Sequence, residues 1–115
     1  MKAVNSMTKR KVGERMKAMK CEGFRIEPIE IENTLAALQE AVGGYIETLT
    51  LIPGKAVMIV NEEGVLRGMP ICAAASVVAN TRIVGTAVVI GVDGEEFTDL
   101  APEIARQLIT KKENA

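Results

Sequence analysis

The 115-residue chain contains no histidine and no tryptophan. Without histidine there is no His-based catalytic dyad or triad and no His-ligated metal. Aromatic residues make up 3% of the chain and reduce to Phe24, Tyr45 and Phe97, too few for a platform that stacks nucleic-acid bases. The two cysteines, Cys21 and Cys72, are far apart and form no C-x-x-C pair. A four-thiolate zinc site is thereby impossible, a disulfide framework is unsupported, and a reducing cytoplasm is the expected setting. The longest apolar run, Ile83–Val92, is broken by Gly85, Thr86 and Gly91 and is far too short for a bilayer. Residues 1–20 lack the apolar core of a secretory signal, so no membrane role is expected.

What is present is the usage of a globular domain: 48% hydrophobic, 25% charged, with 10 Gly and 4 Pro. The formal net charge of −1 hides an asymmetry. Residues 1–20 hold seven of the 14 basic residues and one acid, Glu14, whereas residues 21–115 carry a net of −7. A body this acidic argues against duplex nucleic acid as a partner.

The first segment, residues 1–19, shows no clean apolar period and contains Gly13. It reads as a basic, flexible or weakly helical tail preceding a globular domain at 20–115. A second reading places the native start at Met19, because Gly13-Glu14-Arg15 can be encoded by purine-rich codons resembling a ribosome-binding site. From Lys20 to Glu32, Phe24, Ile26, Ile29 and Ile31 interleave with charges around Pro28, as in one or two half-buried strands near a sheet edge. Asn33 or Thr34 caps a helix with apolar face Leu35, Leu38 and Val42, stopped at Gly43. Strands are expected over Tyr45–Leu51 and Ala56–Val60, joined by Pro53-Gly54. After the turn Asn61–Gly64, Val65 and Leu66 resume an extended path. Ile71–Ala79 reads as a short helix ending near Asn80. Ile83–Val92 is the expected central strand. A last helix starts near Pro102 under a Thr98 or Asp99 cap and buries Ile104 and Leu108. The fold class is α+β, a mostly antiparallel sheet of four to five strands packed by three short helices.

Chemistry is sparse. The acidic turns Asn61-Glu62-Glu63 and Asp93-Gly94-Glu95-Glu96, with Asp99 beyond the second, carry carboxylates that can bind a hard cation, but the second lacks calcium-loop spacing and both read as soluble hairpin tips. Val42-Gly43-Gly44-Tyr45 either brings a ligand close to backbone or is a helix stop before a strand. A P-loop, a G-x-G-x-x-G and a nucleophile elbow are all absent, and Ser76 reads as a packing residue. Cys72 at a helix start is either activated or, the reading preferred, buried and inert. No active site is expected, and no cofactor.

The strings ENTLAALQEAVGGYIE (32–47), VNEEGVLRGMP (60–70) and IVGTAVVIGVDGEEFTDL (83–100), in this order, resemble a family of small domains of unknown function. That family is carried by phages, plasmids and conjugative elements of Gram-positive gut bacteria. The resemblance spans roughly residues 20–112 and brings no established chemistry. Relatives place an Asn-Arg pair where this chain has Cys72 and Ala73: a ligand contact made by that pair is lost or changed here, whereas little is lost if the pair only caps the helix. The setting implies a non-enzymatic counter-defence factor in the host bacterial cytoplasm, inhibiting a host immune protein or sequestering a nucleotide signal. Tyr45, Asn61, Glu62, Arg67, Arg82 and Thr86 are the candidate ligand- or partner-binding residues, with Asn61 for a base or ribose, and Arg67 and Arg82 read equally as solvated surface charges. The alternative is a homodimer or larger homo-oligomer that docks on a replication or transfer protein.

Overall fold

The computed structural model describes residues 14–115. Its elements run β1 (Arg15–Glu22), β2 (Arg25–Glu32), α1 (Leu35–Val42), β3 (Ile46–Ile52), β4 (Ala56–Asn61), α2 (Ala73–Ala79), β5 (Ala87–Asp93), β6 (Glu96–Thr98) and α3 (Pro102–Glu113). The strands form one antiparallel sheet in the order β2-β1-β5-β4-β3, with β6 also paired to β5. The α+β expectation therefore holds, with six strands among the described residues in place of four to five.

Two-residue alternation sorts the core into two layers. Met16, Ala18, Val57, Ile59, Val88 and Ile90 face α1 and pack with Leu38 and Val42. Met19, Cys21, Met58, Ala87 and Val89 face the other way and pack against Ala74, Ala75 and Val78 of α2 and Ile104 and Leu108 of α3. A sheet covered on both faces explains why β4 and β5 are almost continuously apolar. Of the 25 buried hydrophobic residues on the described chain, 12 lie in these two strands and in β1.

Several local expectations change. β1 starts at Arg15, so residues 15–19, placed in the tail by sequence, are the first half of an interior strand. Met16 there has no exposed surface, and a chain beginning at Met19 would lose it. The tail reading for residues 1–13 lies outside the described residues. Pro28 does sit on an edge strand, β2, where a missing N–H costs no ladder bond. Thr34 rather than Asn33 caps α1, its Oγ1 accepting from the Ala37 N–H at 3.1 Å. Leu35 is largely exposed, and Leu38 and Val42 carry the helix's burial.

The apolar run Ile83–Val92 is not one strand. Gly85, at φ 77°, breaks it, leaving Val84 as an isolated bridge to Ile71 and starting β5 at Ala87. Neither Thr98 nor Asp99 caps α3. Its N-cap is Ala101, while Asp99 Oδ1 accepts the Lys17 N–H at 2.8 Å and the Leu100 N–H donates to the Lys17 carbonyl. Those two bonds hook the β6–α3 link onto β1. They require a close pass over Gly91, where a Cβ would lie 2.1 Å from the Asp99 carbonyl oxygen.

Candidate functional site

One end of the sheet gathers the C-termini of β1 and β4, the N-termini of β2, β3 and β5, and the C-terminal stop of α1. The loops meeting there are the β1–β2 turn, the residues between α1 and β3, and the segments 62–72 and 83–86. Five of the six sequence-predicted residues gather at this end: Tyr45, Glu62, Arg67 and Thr86 on these loops, and Asn61 as the last residue of β4. Arg82 is exposed on the adjoining loop after α2, next to Ile83, whose N–H and carbonyl are both bonded to Ser76 Oγ.

Strand parity aims Asn61, the last residue of β4, at the α1 side of the sheet. There its Nδ2 donates to the Val42 carbonyl at 3.0 Å, and its Oδ1 accepts the Glu63 N–H at 2.8 Å. The side chain is 5% exposed. Arg67 Nη1 donates to the Gly43 carbonyl at 2.8 Å. Both side chains thus satisfy carbonyls that the end of α1 leaves without helical partners. The two glycines explain the fit. Gly43 takes the left-handed stop, its N–H bonded to the Gln39 carbonyl. At Gly44 a Cβ would come within 2.9 Å of both Arg67 Nη1 and Asn61 Nδ2, so any side chain there would collide with the cap. Of the two readings of Val42-Gly43-Gly44-Tyr45, the structure shows the helix stop before a strand, and the groups packed against Gly44 are the protein's own side chains.

The Glu62 N–H donates to the Tyr45 carbonyl at 2.8 Å, which fixes the backbone while the Glu62 and Tyr45 side chains stay exposed. Thr86 lines a cleft of about 450 Å³ with Glu22, Gly23, Gly43, Met69, Ile71 and Cys72 among its walls. Cys72 is buried and caps α2, its Sγ accepting the Ala75 N–H at 3.4 Å and donating to the Gly23 carbonyl at 3.6 Å. Burial, and then the neighbouring Cys72, push the Cys21 thiol up to about 12. Both cysteines are free thiols. Among the described residues no group of three or more His, Cys, Asp or Glu is placed to hold a metal ion.

Sequence reasoning missed the apolar character of this end. Residues 62–68 are successive turns rather than an extended path, with the Arg67 N–H bonded to the Glu63 carbonyl and the Met69 N–H to Gly64. They lift Leu66 to 88% exposure and Val65 nearly as far. Phe24, expected on a half-buried strand, lies in the β1–β2 turn and is 78% exposed. Ile71 precedes α2 instead of starting it, and with Tyr45 completes the set. Of the six large hydrophobic residues exposed on the described chain, only Leu35 lies elsewhere. A signal existed in Gly23 and Gly64, since a glycine directly before a hydrophobe marks a turn as readily as a strand start.

The described part of the chain carries ten basic residues against fifteen acidic ones, so the body is acidic. At this end Glu22 and Glu40 line the cleft, and Glu62 and Glu63 lie exposed on the turn. None of the helices among the described residues is long and apolar enough to cross a membrane. No curated protein and no solved structure matches the chain. A family model described as a domain of unknown function, DUF3846, matches residues 16–113, from the first buried methionine of β1 to the end of α3, and the chain belongs to that family.

Proposed function

We propose that this chain is a non-enzymatic binding protein of a phage or mobile element, a counter-defence factor that acts by occupying a host immune protein. One observation carries the choice of a protein target. Phe24, Tyr45, Val65, Leu66 and Ile71 stand exposed at one end of the sheet, where Asn61 and an Arg67 nitrogen are already engaged by backbone. Exposed hydrophobes grouped around rigid turns are the surface that a protein interface desolvates. The surrounding Glu22, Glu40, Glu62 and Glu63 call for a partner whose apolar pocket is rimmed by basic side chains. The phage setting comes from the resemblance of the three sequence strings.

Expression in bacterial strains that each carry one defence system, followed by phage challenge, tests the reading. Wild-type protein is expected to restore plating in one strain, and Leu66→Asp or Phe24→Asp to abolish that rescue while the circular dichroism spectrum stays native. Rescue by the variants at wild-type potency, or no rescue in any strain, sinks it. A nucleotide signal is the competing target, for which the Thr86 cleft is a concavity at this end of the sheet. A thermal-shift screen against cyclic oligonucleotides and cyclic ADP-ribose isomers is expected to be flat. A ligand at a hundred times its Kd would stabilise by about 2.7 kcal/mol, so binding would be seen. The second reading, a homo-oligomeric module that docks on a replication or transfer protein, is favoured by the β3 edge, which has no partner strand among the described residues.

A further inference from the structure

The two edges of the sheet are built differently. The β2 edge, RIEPIEIE, carries Arg25, Glu27, Glu30 and Glu32 and interrupts its N–H row at Pro28. These are the features that keep a strand from pairing with another chain. The β3 edge, IETLTLI, has a single charge, Glu47, no proline, and β-branched residues at Ile46, Thr48, Thr50 and Ile52. Its outer side has no partner strand among the described residues.

The hydrogen-bond phase says which groups are open. The Glu62 N–H bonds the Tyr45 carbonyl, and the register continues 47↔60 and 49↔58. By the alternation of an antiparallel ladder, Tyr45, Glu47 and Leu49 aim their backbone groups at β4, whereas Ile46, Thr48 and Thr50 aim theirs outward. The Val92 N–H bond to the Lys55 carbonyl, on the far side of β4, has the matching phase. A bulge between Thr50 and Ile52 ends the regular stretch, so the open edge is Ile46–Thr50, with Thr48 at its centre.

We propose that this edge pairs with the same edge of a second copy, antiparallel and about a two-fold axis at Thr48. In that register Thr48 faces Thr48, Ile46 faces Thr50 and Glu47 faces Leu49. β-Branched residues meet across one face, and no charge is set directly opposite a like charge. A second copy fits better than a charged peptide, because the edge offers neutral, self-matching residues and no basic or acidic row to select one. The sheet becomes continuous through both copies. Because the pairing is antiparallel, the two apolar ends point in opposite directions, giving a bivalent binder. The pairing does not depend on the counter-defence reading, and each is tested on different residues.

The experiment is sedimentation velocity of the full chain over a concentration series, beside Thr48→Pro and Thr48→Cys. Wild type is expected to run as a dimer at tens of micromolar. Thr48→Pro removes an outward N–H without touching the β4 ladder, so it is expected to be a monomer with a native circular dichroism spectrum. Under mild oxidation Thr48→Cys is expected to give a disulfide-linked dimer, since facing residues of a bonded pair have Cα atoms about 5.5 Å apart. Glu47→Cys, opposite Leu49, is expected to give much less, and buried Cys21 and Cys72 do not interfere. A wild-type monomer at several hundred micromolar overturns the proposal, as does a dimer that survives Thr48→Pro. If Thr48→Pro fails to fold, the oxidation decides alone: no excess of linked dimer from Thr48→Cys over Glu47→Cys also overturns it.

Discussion

Asn61 is where a binding role and a structural role give opposite predictions. The side chain bridges the Val42 carbonyl and the Glu63 N–H while almost wholly buried. Asn61→Ala removes both bonds. The Glu63 amide lies on an exposed turn and can take a water, but the Val42 carbonyl at the buried end of α1 has less access. A lost bond costs about 1 kcal/mol and a stranded buried acceptor about 1–3 kcal/mol, so the expected total is about 2 kcal/mol. For a chain of this size that is a midpoint drop of about 8 °C. Asn61→Asp sharpens the test. Its first oxygen can still accept from Glu63, but the second, as a carboxylate, meets the Val42 carbonyl and the negative end of the α1 dipole. Only the protonated acid can donate there, so the folded-state pKa rises above the unfolded value of about 3.9. The folded state then binds more protons than the unfolded one, and stability falls as pH rises past about 4. Urea unfolding at pH 4 and 7.5, with wild type as reference, is expected to show a larger Asn61→Asp penalty at 7.5. An alanine variant within about 0.5 kcal/mol of wild type, or an aspartate penalty independent of pH, would refute the capping role. It would also return Asn61 to the list of ligand-binding groups.

Gly91→Ala is expected to cost about 3 kcal/mol or more, because the new methyl meets the Asp99 and Leu100 backbone rather than a movable side chain; a melting midpoint near wild type would show that the β6–α3 link floats free of β5. A chain started at Met19 is expected to be unfolded, since it lacks Met16 and Ala18 of the core and the Glu14 carbonyl that accepts the Asn33 N–H. Met16→Ala alone is expected to lose about 2–4 kcal/mol by chemical denaturation. Cys21, with its thiol pushed up to about 12, is expected to resist alkylation in the native state at pH 9 and to react at once in urea. Its folded pKa lies above the unfolded value of about 8.5, so its contribution to stability is complete below pH 8 and declines above it. Equal native and denatured alkylation rates would contradict that burial.

The α1 stop and the hairpin at Pro53-Gly54 are written locally. Thr34, three residues before Ala37, and Gly43 after the last apolar position need no knowledge of the rest of the chain. The same is true of β4, whose unbroken Ala-Val-Met-Ile-Val has nowhere to go but a covered strand. Residues 15–19 conceal their strand for the opposite reason. Lys17 and Lys20 alternate with Met16, Ala18, Met19 and Cys21 in a pattern whose apolar side changes halfway, because β1 packs α1 with one face and α2 and α3 with the other. A strand buried on both faces shows no single period. Val65, Leu66 and Phe24 look like core residues in a window of a few positions, and only their neighbours in space leave them uncovered.

Composition and local pattern suffice for the absence of histidine chemistry, an acidic body, an α+β succession of short elements, and the turns that glycine and proline impose. These follow from side-chain chemistry and from backbone sterics acting within a few residues. The uses of the polar residues follow from long-range packing. Asn61 and Arg67 look like ligand-binding groups in the sequence, and they become helix-end caps because β4 and the 62–68 turns carry them onto Val42 and Gly43. Asp99 looks like a cap and becomes a clasp on β1. In each case the partner is a backbone group at least 19 residues away, and which distant carbonyl or amide a side chain meets is fixed by strand register and parity rather than by any local pattern.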